Sequence, residues 1–364
     1  MQLKAYRLTY PPYKFANKQI KSVYSLFRIA ILSIIFLGRI HQLEAQDLHY
    51  SQYFNAPLNL NPALTAFSPS NHRIILNNRN QWASVTVPYK TFSASYDTKL
   101  INRKKKGDFI GLGVLFNKDE AGDSKYGTTQ AGLSLSWVKA LNGRKNNILS
   151  LGIQGSYFQR SIDYSQLYFP DQWNGNSSSI NTPHNEIFTV NQFFFYDLSA
   201  GAHWFWTTSA RFNLNTGISA SHLNRPNQSL MNEKSANLDI KYQFYSEAEI
   251  ELSRPYDLLP SIYYAKQGIY QELLFGIRLH YKVHQNKGNY FALSTGLFGR
   301  NKDAMVIYVG MDYRTVKIAA TYDFNMSSLS IASQYMGGME LSIQWLISNR
   351  KTSRKIKPPP CPIF

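Results

Sequence analysis

Ser221 and His222 are adjacent, and the carboxylates Glu233 and Asp239 follow downstream. A serine nucleophile, a histidine base and an orienting acid are the parts of a hydrolytic triad. Ser221 lies in Ala220-Ser221-His222, without the flanking glycines of a G-x-S-x-G nucleophile elbow. The pair is therefore expected to be structural, and the chain is expected not to be an enzyme. His49, His72, His184, His203, His280 and His284 lack the close carboxylate-and-histidine spacing of a metal site. His280 and His284 are four residues apart, but they fall on a strand-to-turn segment, so this spacing does not give them a common helical face. The single cysteine, Cys361, excludes an intrachain disulfide and any multi-cysteine metal site. No glycine-rich phosphate loop is present, so no cofactor is expected.

Charge is the other chemical signal. The chain of 364 residues carries 39 Lys and Arg against 22 Asp and Glu, a net charge of +17. Much of the excess sits in three places. Residues 1–45 hold seven basic residues and one acid, Arg350–Lys357 holds five basic residues, and Arg103 to Lys106 is a run of four. The body between them is nearly balanced. Binding nucleic acid requires a basic face on the fold itself, and none is visible, so no nucleic-acid partner is expected.

The elements that carry these residues read as strands. Phe92, Ala94 and Tyr96 alternate with Ser93, Ser95 and Asp97, and Leu133, Leu135 and Trp137 alternate with Gly132, Ser134 and Ser136. Leu149, Leu151 and Ile153 alternate with Ser150, Gly152 and Gln154. At the end of the series Met339, Leu341, Ile343, Trp345 and Ile347 alternate with Glu340, Ser342 and Gln344. Ile110, Leu112 and Val114 also alternate, until Leu115 interrupts the pattern. About 14 such segments of about ten residues recur, and no segment after residue 45 approaches the 18 consecutive apolar residues of a membrane helix. The polar face is Ser, Gly, Gln, Asn and Asp rather than Lys and Glu. That suits a lumen better than the outer face of a soluble sandwich. The fold expected is all-β: a transmembrane antiparallel barrel of outer-membrane type, closed because a bilayer tolerates no unpaired edge.

Connection lengths agree with this. Short links at Asn142–Asn147, Thr208–Arg211, His284–Asn289 and Arg314–Thr315 alternate with long ones at Asn117–Thr128, Ile162–Gln192, Leu223–Leu238 and Met326–Gly338. Outer-membrane barrels have short periplasmic turns and longer extracellular loops. The stretch between Ser253 and Gly268 is the least clearly patterned. Trp82, Trp137, Trp204, Trp206 and Trp345, near predicted strand ends, suit interfacial girdles.

Ahead of the strands lie two further segments. Ile29 to Leu37 is a mainly apolar run of nine residues after a basic stretch, which suits a signal-peptide core and is too short to span a bilayer. Residues 1–45 are read as a signal peptide cleaved after Ala45, 46–72 as a lead-in or plug, 73–349 as the barrel and 350–364 as a basic periplasmic tail. In the lead-in, Pro57 and Pro62 are expected to keep the chain out of helix and ladder.

Residues 47–63 read D-x-H-x-S-Q-Y-F-x-x-P-L-x-L-N-P-A, followed by N-x-R-x-Q-W at Asn77, Arg79, Gln81 and Trp82, and by YKTFSASYD at Tyr89–Asp97. Further motifs are Asp119-Glu120-Ala121-Gly122, Ser221 through Pro226, Tyr322 through Asn325, Gly337 through Leu341, and the ending Cys361-Pro362-Ile363-Phe364. Together they resemble the PorP/SprF family of the Bacteroidota type IX secretion and gliding machinery, over essentially the whole mature chain. Ile363 departs from the usual arginine, and the basic N-terminal region is long. The resemblance implies an outer-membrane barrel, related in architecture to the long-chain fatty-acid transporter barrels, that puts large secreted proteins, often adhesins, onto the cell surface. The partners it implies are outer-membrane lipid, a secreted cargo protein and periplasmic machinery.

Three sets of site residues follow. Asp47, His49, Ser51, Gln52, Tyr53, Pro57, Asn61 and Pro62, with Arg79, Gln81, Trp82, Asp119, Gly122, His222 and Pro226 from the motifs, are candidates for partner contact or for a packing plug at the lumen or its periplasmic mouth. The loop Asp163–Asn191, with Phe169, Trp173 and the run Ser177–Ser179, is a candidate grip for an exported protein. The basic elements Arg103–Lys106 and Arg350–Lys357 are candidates for docking an acidic periplasmic partner. A passive channel or a transporter of hydrophobic solutes is the alternative, and it would need a continuous apolar path.

Overall fold

Successive strands pair antiparallel with their sequence neighbours, and the last pairs with the first. In the computed structural model this closes a barrel of fourteen strands. The structure describes residues 47–81, 87–103, 108–144, 146–173, 186, 190–209, 211–229, 236–286, 289–327 and 330–348. The signal region, the basic tail, Lys104–Lys106, Trp82, His184 and Ser177–Ser179 lie outside the described residues. The strands are β1 His72–Gln81, β2 Tyr89–Arg103, β3 Asp108–Ala121, β4 Tyr126–Ala140, β5 Asn147–Ser161, β6 Gln192–Ser209 and β7 Phe212–Ser221. They continue as β8 Lys241–Ser253, β9 Tyr256–Gln267, β10 Tyr270–Asn286, β11 Asn289–Arg300, β12 Ala304–Tyr313, β13 Val316–Asn325 and β14 Met336–Ile347. Closure is in continuous register, from His72 opposite Ile347 to Gln81 opposite Gly338.

The alternation is inside-out relative to a soluble protein. Along β14 Met339, Leu341, Ile343 and Trp345 are 42–50% exposed, whereas Glu340, Ser342 and Gln344 are at most 4% exposed. The apolar face therefore points outward, as a lipid-facing wall requires, and the polar face lines the lumen. Trp137, Trp206 and Trp345 lie on the outer face, and Trp204 stacks on Trp206 at 5.7 Å between ring centroids. All four lie toward the end where β1 begins and β14 ends. That end is called the terminal end here, and the opposite one, with the long connections, the loop end.

Three expectations change. Leu115 does not interrupt β3; it is 4% exposed and takes its turn on the lumen face. The connection expected at Asn117–Thr128 is mostly strand. Asn117 is a buried lumen residue paired with Gln130, and only residues 122–125 turn, with Gly122 at φ +69° and Lys125 at +46°. Polar residues there signal a polar lumen rather than a loop. The weakly patterned stretch is strand β9, whose pairing to β8 skips Leu259 and Pro260, because proline has no N–H to give a ladder.

Candidate functional site

Residues 47–71 occupy the lumen. They first meet the wall at the loop end, where Asp47 bonds His222 just past β7, and descend to the terminal end, where the Asn71 amide donates to the Ile347 carbonyl at 3.2 Å. A segment with few backbone partners of its own must find them elsewhere, and the polar lumen face supplies them. Pro57 does not bar helix here. It starts a one-turn helix, Pro57–Leu60, where its missing N–H is not needed, and Pro62 starts a 3-10 turn in the same way.

Every strand holds this plug. Asn77 of β1 donates to the Asn55 carbonyl, Ser93 of β2 and Asn117 of β3 bond Asn59, and Ser134 of β4 bonds Thr65. Ser150 of β5 donates to the Ala63 carbonyl at 2.6 Å, and the Asn61 amide donates to the carbonyls of Ala202 on β6 and Ile218 on β7, both at 3.0 Å. Lys241 of β8 donates to the Leu48 carbonyl. Tyr53 stacks on Tyr263 of β9 at 4.8 Å, while Phe54 packs under the Arg278 guanidinium of β10 at 3.7 Å and edge-on to Tyr308 of β12. β11, β13 and β14 contribute Arg300, Asp323 and Glu340. Two wall glycines give the plug room. A Cβ on Gly152 would lie 2.3 Å from the Pro62–Ala63 backbone, and one on Gly201 would lie 2.1 Å from Asn61 Oδ1.

The strongest electrostatic cluster surrounds Ser51 and Gln52. The Ser51 hydroxyl donates to Asp323 at 2.8 Å and accepts from Arg300 at 2.6 Å. The backbone N–H groups of Ser51 and Gln52 donate to Glu340 at 2.9 and 3.2 Å. Arg79 joins the set, 3.2 Å from Asp323 and 3.8 Å from Glu340, and donates to the His49 carbonyl at 2.6 Å. Arg300 also pairs with Glu272 at 3.1 Å. All five charged side chains are nearly fully buried. Buried charges are tolerated only when paired and hydrogen-bonded, and the plug's two backbone donors complete that pairing. Nearer the terminal end Arg73 binds Asp97 at 2.6 Å and donates to the Leu64 carbonyl at 2.8 Å.

At the loop end His222 is clamped. Its Nδ1 donates to Asp197 at 2.9 Å and its Nε2 to Asp47 at 2.5 Å. Burial lowers the affinity of His222 for its proton, but the Asp47 carboxylate and hydrogen bonds to Asp197 and Asp47 override it and raise the pKa to about 9. Burial likewise opposes ionisation of Asp47. The charge and hydrogen bond of His222, with the charges of Lys241 and Arg160, outweigh it and hold the carboxyl well below the usual range. His49 behaves in the opposite way: burial, then the charges of Arg79, Arg300 and Lys241, hold it neutral.

The predicted residues thus divide. Asp47, His49, Ser51, Gln52, Tyr53, Pro57, Asn61, Pro62, Arg79 and His222 come together in the plug and its wall. Asp119 instead accepts from Thr91 at 2.6 Å, Gln81 closes β1 opposite Gly338, and Gly122 turns the β3–β4 hairpin. The Pro226 carbonyl accepts from Leu238 within its own loop. Phe169 and Trp173 lie in the β5–β6 connection, with Trp173 56% exposed. With both ring nitrogens of His222 engaged by carboxylates, neither is left to activate Ser221. Among the described residues no three His, Cys, Asp or Glu side chains group to hold a metal ion. Sequence reasoning missed Asp97, Asp197, Glu272, Arg300, Asp323 and Glu340 as site residues. For Asp197, Arg300 and Glu340 a signal was present, since each is the one Asp, Glu, Lys or Arg of its strand; Asp97, Glu272 and Asp323 share their strands with other charges.

A family profile described as type IX secretion system membrane protein PorP/SprF matches residues 42–345. No curated protein matches the sequence. Among solved structures, the Ralstonia pickettii toluene transporter TbuX aligns over 80% of this chain and 94% of its own, at 7% identity and a TM-score of 0.49. The Pseudomonas putida toluene transporter TodX aligns over 82% and 93%, at 9% identity and a TM-score of 0.45. The KdgM porin aligns over 75% and 98%, at 7% identity and a TM-score of 0.34.

Proposed function

The chain belongs to the PorP/SprF family of type IX secretion system membrane proteins, and from that premise we propose that it supports the secretion and the surface display or anchoring of large secreted proteins such as adhesins. Its place is the outer membrane, as the family and the closed barrel with an apolar outer wall require. The observation that carries the reading is the lumen, filled from one end to the other by a segment that touches all fourteen strands. A wall so occupied serves as a platform rather than a conduit. Cargo would be held at the loop end, which faces outward if the short turns are periplasmic, and machinery components would meet the terminal end. A transporter of hydrophobic solutes needs an open apolar path, whereas the apolar side chains of the lumen wall, among them Phe205, Leu274, Phe298 and Val306, form one buried cluster with Phe54, Leu64 and Phe67 of the plug.

Deletion of the gene followed by an inventory of surface proteins tests this. Loss of one or a few large proteins from the surface, with their appearance in the medium, supports anchoring. An unchanged surface with altered uptake of small apolar solutes refutes it. Replacing residues 163–191 with a short Gly-Ser linker then asks whether that loop grips the cargo; undiminished display would remove it from the site.

A further inference from the structure

The two ends of the barrel differ in charge. Six short turns join strands at the terminal end, after β2, β4, β6, β8, β10 and β12. In sequence, the residues between those strands include nine Lys or Arg, three after β2, two after β4 and one after each of the others, and no Asp or Glu. The seven connections of the loop end hold only four, Lys125, Arg225, Lys234 and Lys302, against seven Asp or Glu. Basic residues at the loop end also meet acids: Arg225 pairs with Asp239 at 3.1 Å, and Lys118 on β3 with Glu120 at 2.7 Å. At the terminal end, four turn cations lie among the described residues, one in each of four turns. They are Arg144, Arg211, Arg254 and Arg314, and all four are exposed. Their height on the barrel is set by the outer-wall aromatics. Arg314 lies over the ring of Tyr313, 5.2 Å from its centroid, and Lys139, near the end of β4, lies 5.6 Å from the ring of Trp137. Arg254 is two residues from Tyr256, which stacks on Tyr281 at 5.0 Å. Trp137, Trp206, Tyr256, Tyr281 and Tyr313 are exposed on the outer wall. Aromatic rings in such a belt sit at the headgroup level of a bilayer. Arginines just beyond them, with charged heads on apolar stems, are level with the phosphates.

We propose that the terminal rim binds the phosphates of anionic glycerophospholipids in the periplasmic leaflet, the one that the short turns of outer-membrane barrels face. The chemistry fits: a guanidinium presents paired donors to phosphate oxygens, and each basic residue near an anionic membrane surface adds to the attraction. The distribution favours lipid over an acidic protein. A docked protein needs its cations gathered on one patch. Here the four arginines occupy the hairpins β4–β5, β6–β7, β8–β9 and β12–β13, which lie around the circumference of the closed barrel. An annulus of lipid meets every one of those turns, and no single docked domain does. The proposal rests on the outer-membrane location and not on the secretion reading.

The tryptophans at the terminal end report the lipid beside them. The protein is placed in vesicles of phosphatidylcholine and phosphatidylglycerol, with bromine on the chains of one lipid or the other, because a brominated chain quenches a tryptophan that it touches. At about 0.1 M salt, phosphatidylglycerol should be held beside these tryptophans about five-fold more strongly than phosphatidylcholine, the factor for one basic residue at an anionic surface. About 1 M salt should bring the ratio close to one, since exposed charges are then screened. Arg144→Gln, Arg211→Gln, Arg254→Gln and Arg314→Gln made together should at least halve the ratio. Lys125→Gln with Lys302→Gln at the loop end, which also lowers the net charge, should leave it unchanged. Equal quenching by the two lipids in the wild-type protein, or a ratio that the four-fold variant keeps in full, would overturn the proposal. So would a rim without lipid preference that binds polyglutamate instead, which would make it a protein-docking surface. Heat-modifiable migration in gels confirms that each variant has closed its barrel.

Discussion

Neutralising His222 is expected to weaken the protein by an amount that follows from its clamp. The folded pKa is about 9 against 6.5 for a free histidine. A raised value of this kind contributes stability in full below 6.5, and the contribution disappears as the pH rises through 9. Integrated between the two states, it leaves about 2.5 kcal/mol at pH 7 and almost none at pH 10. His222→Gln removes the charge and leaves Asp47 and Asp197 facing each other in a buried site, and losing one partner of a buried pair costs about 3–5 kcal/mol. Asp47 has the opposite sign: its depressed carboxyl contributes stability above 3.8 that is lost as the pH falls through its folded value, so it adds nothing on the alkaline side. The assay is urea unfolding in lipid vesicles between pH 7 and 10. The wild-type protein should lose about 2.5 kcal/mol over that range, and His222→Gln should begin lower with a much shallower dependence. Parallel pH curves for the two proteins would refute the assignment, since tyrosine and lysine titrations elsewhere act on both alike.

Gly201→Ala places a methyl group 2.1 Å from Asn61 Oδ1, and Gly152→Ala places one 2.3 Å from the Pro62–Ala63 backbone. Either change should shift the plug and speed its cleavage by added protease, with Gly155→Ala, which meets only Leu198 at 4.0 Å, as the silent control. Arg79→Met should destabilise the barrel by about 3–5 kcal/mol, because Asp323 and Glu340 are left buried with too few donors. Adding Glu340→Gln should recover part of that loss, as a double-mutant cycle would read. Deleting residues 47–58 removes the plug's bonds to His222, Asp323 and Glu340. The barrel should then show a lower unfolding midpoint, and an ion conductance in planar bilayers well above that of the intact protein.

Much of this fold is legible in the sequence because a bilayer and a polar lumen impose opposite demands on alternate residues. That is why Met339, Leu341, Ile343 and Trp345 against Glu340, Ser342 and Gln344 already read as a two-faced strand. The same rule misleads at Asn117 and Asp119, where polar residues resemble a loop but are lumen-facing or strand-end positions. It also misleads at Leu115, an apolar residue on the lumen side. The lead-in announces itself by composition. Its partners do not, because Ser51 reaches Glu340 across 289 residues and only closure brings them together. Gly152 and Gly201 carry a readable clue, since a glycine at a lumen position of a regular strand marks a close backbone approach.

A segment that bonds or stacks with each of fourteen strands is also a gauge of the barrel itself. A cylinder with one hairpin fewer or one more would have a different girth, and Ser51 could not meet β11, β13 and β14 while Asn61 spans β6 and β7. Each ladder rung senses only the next strand, so strand pairing by itself does not report circumference. The segment precedes all of the strands in the chain, so the measure is present before the first rung forms. Its last contacts, to Glu340 on the closing strand, distinguish a correctly sealed cylinder from one closed in the wrong register.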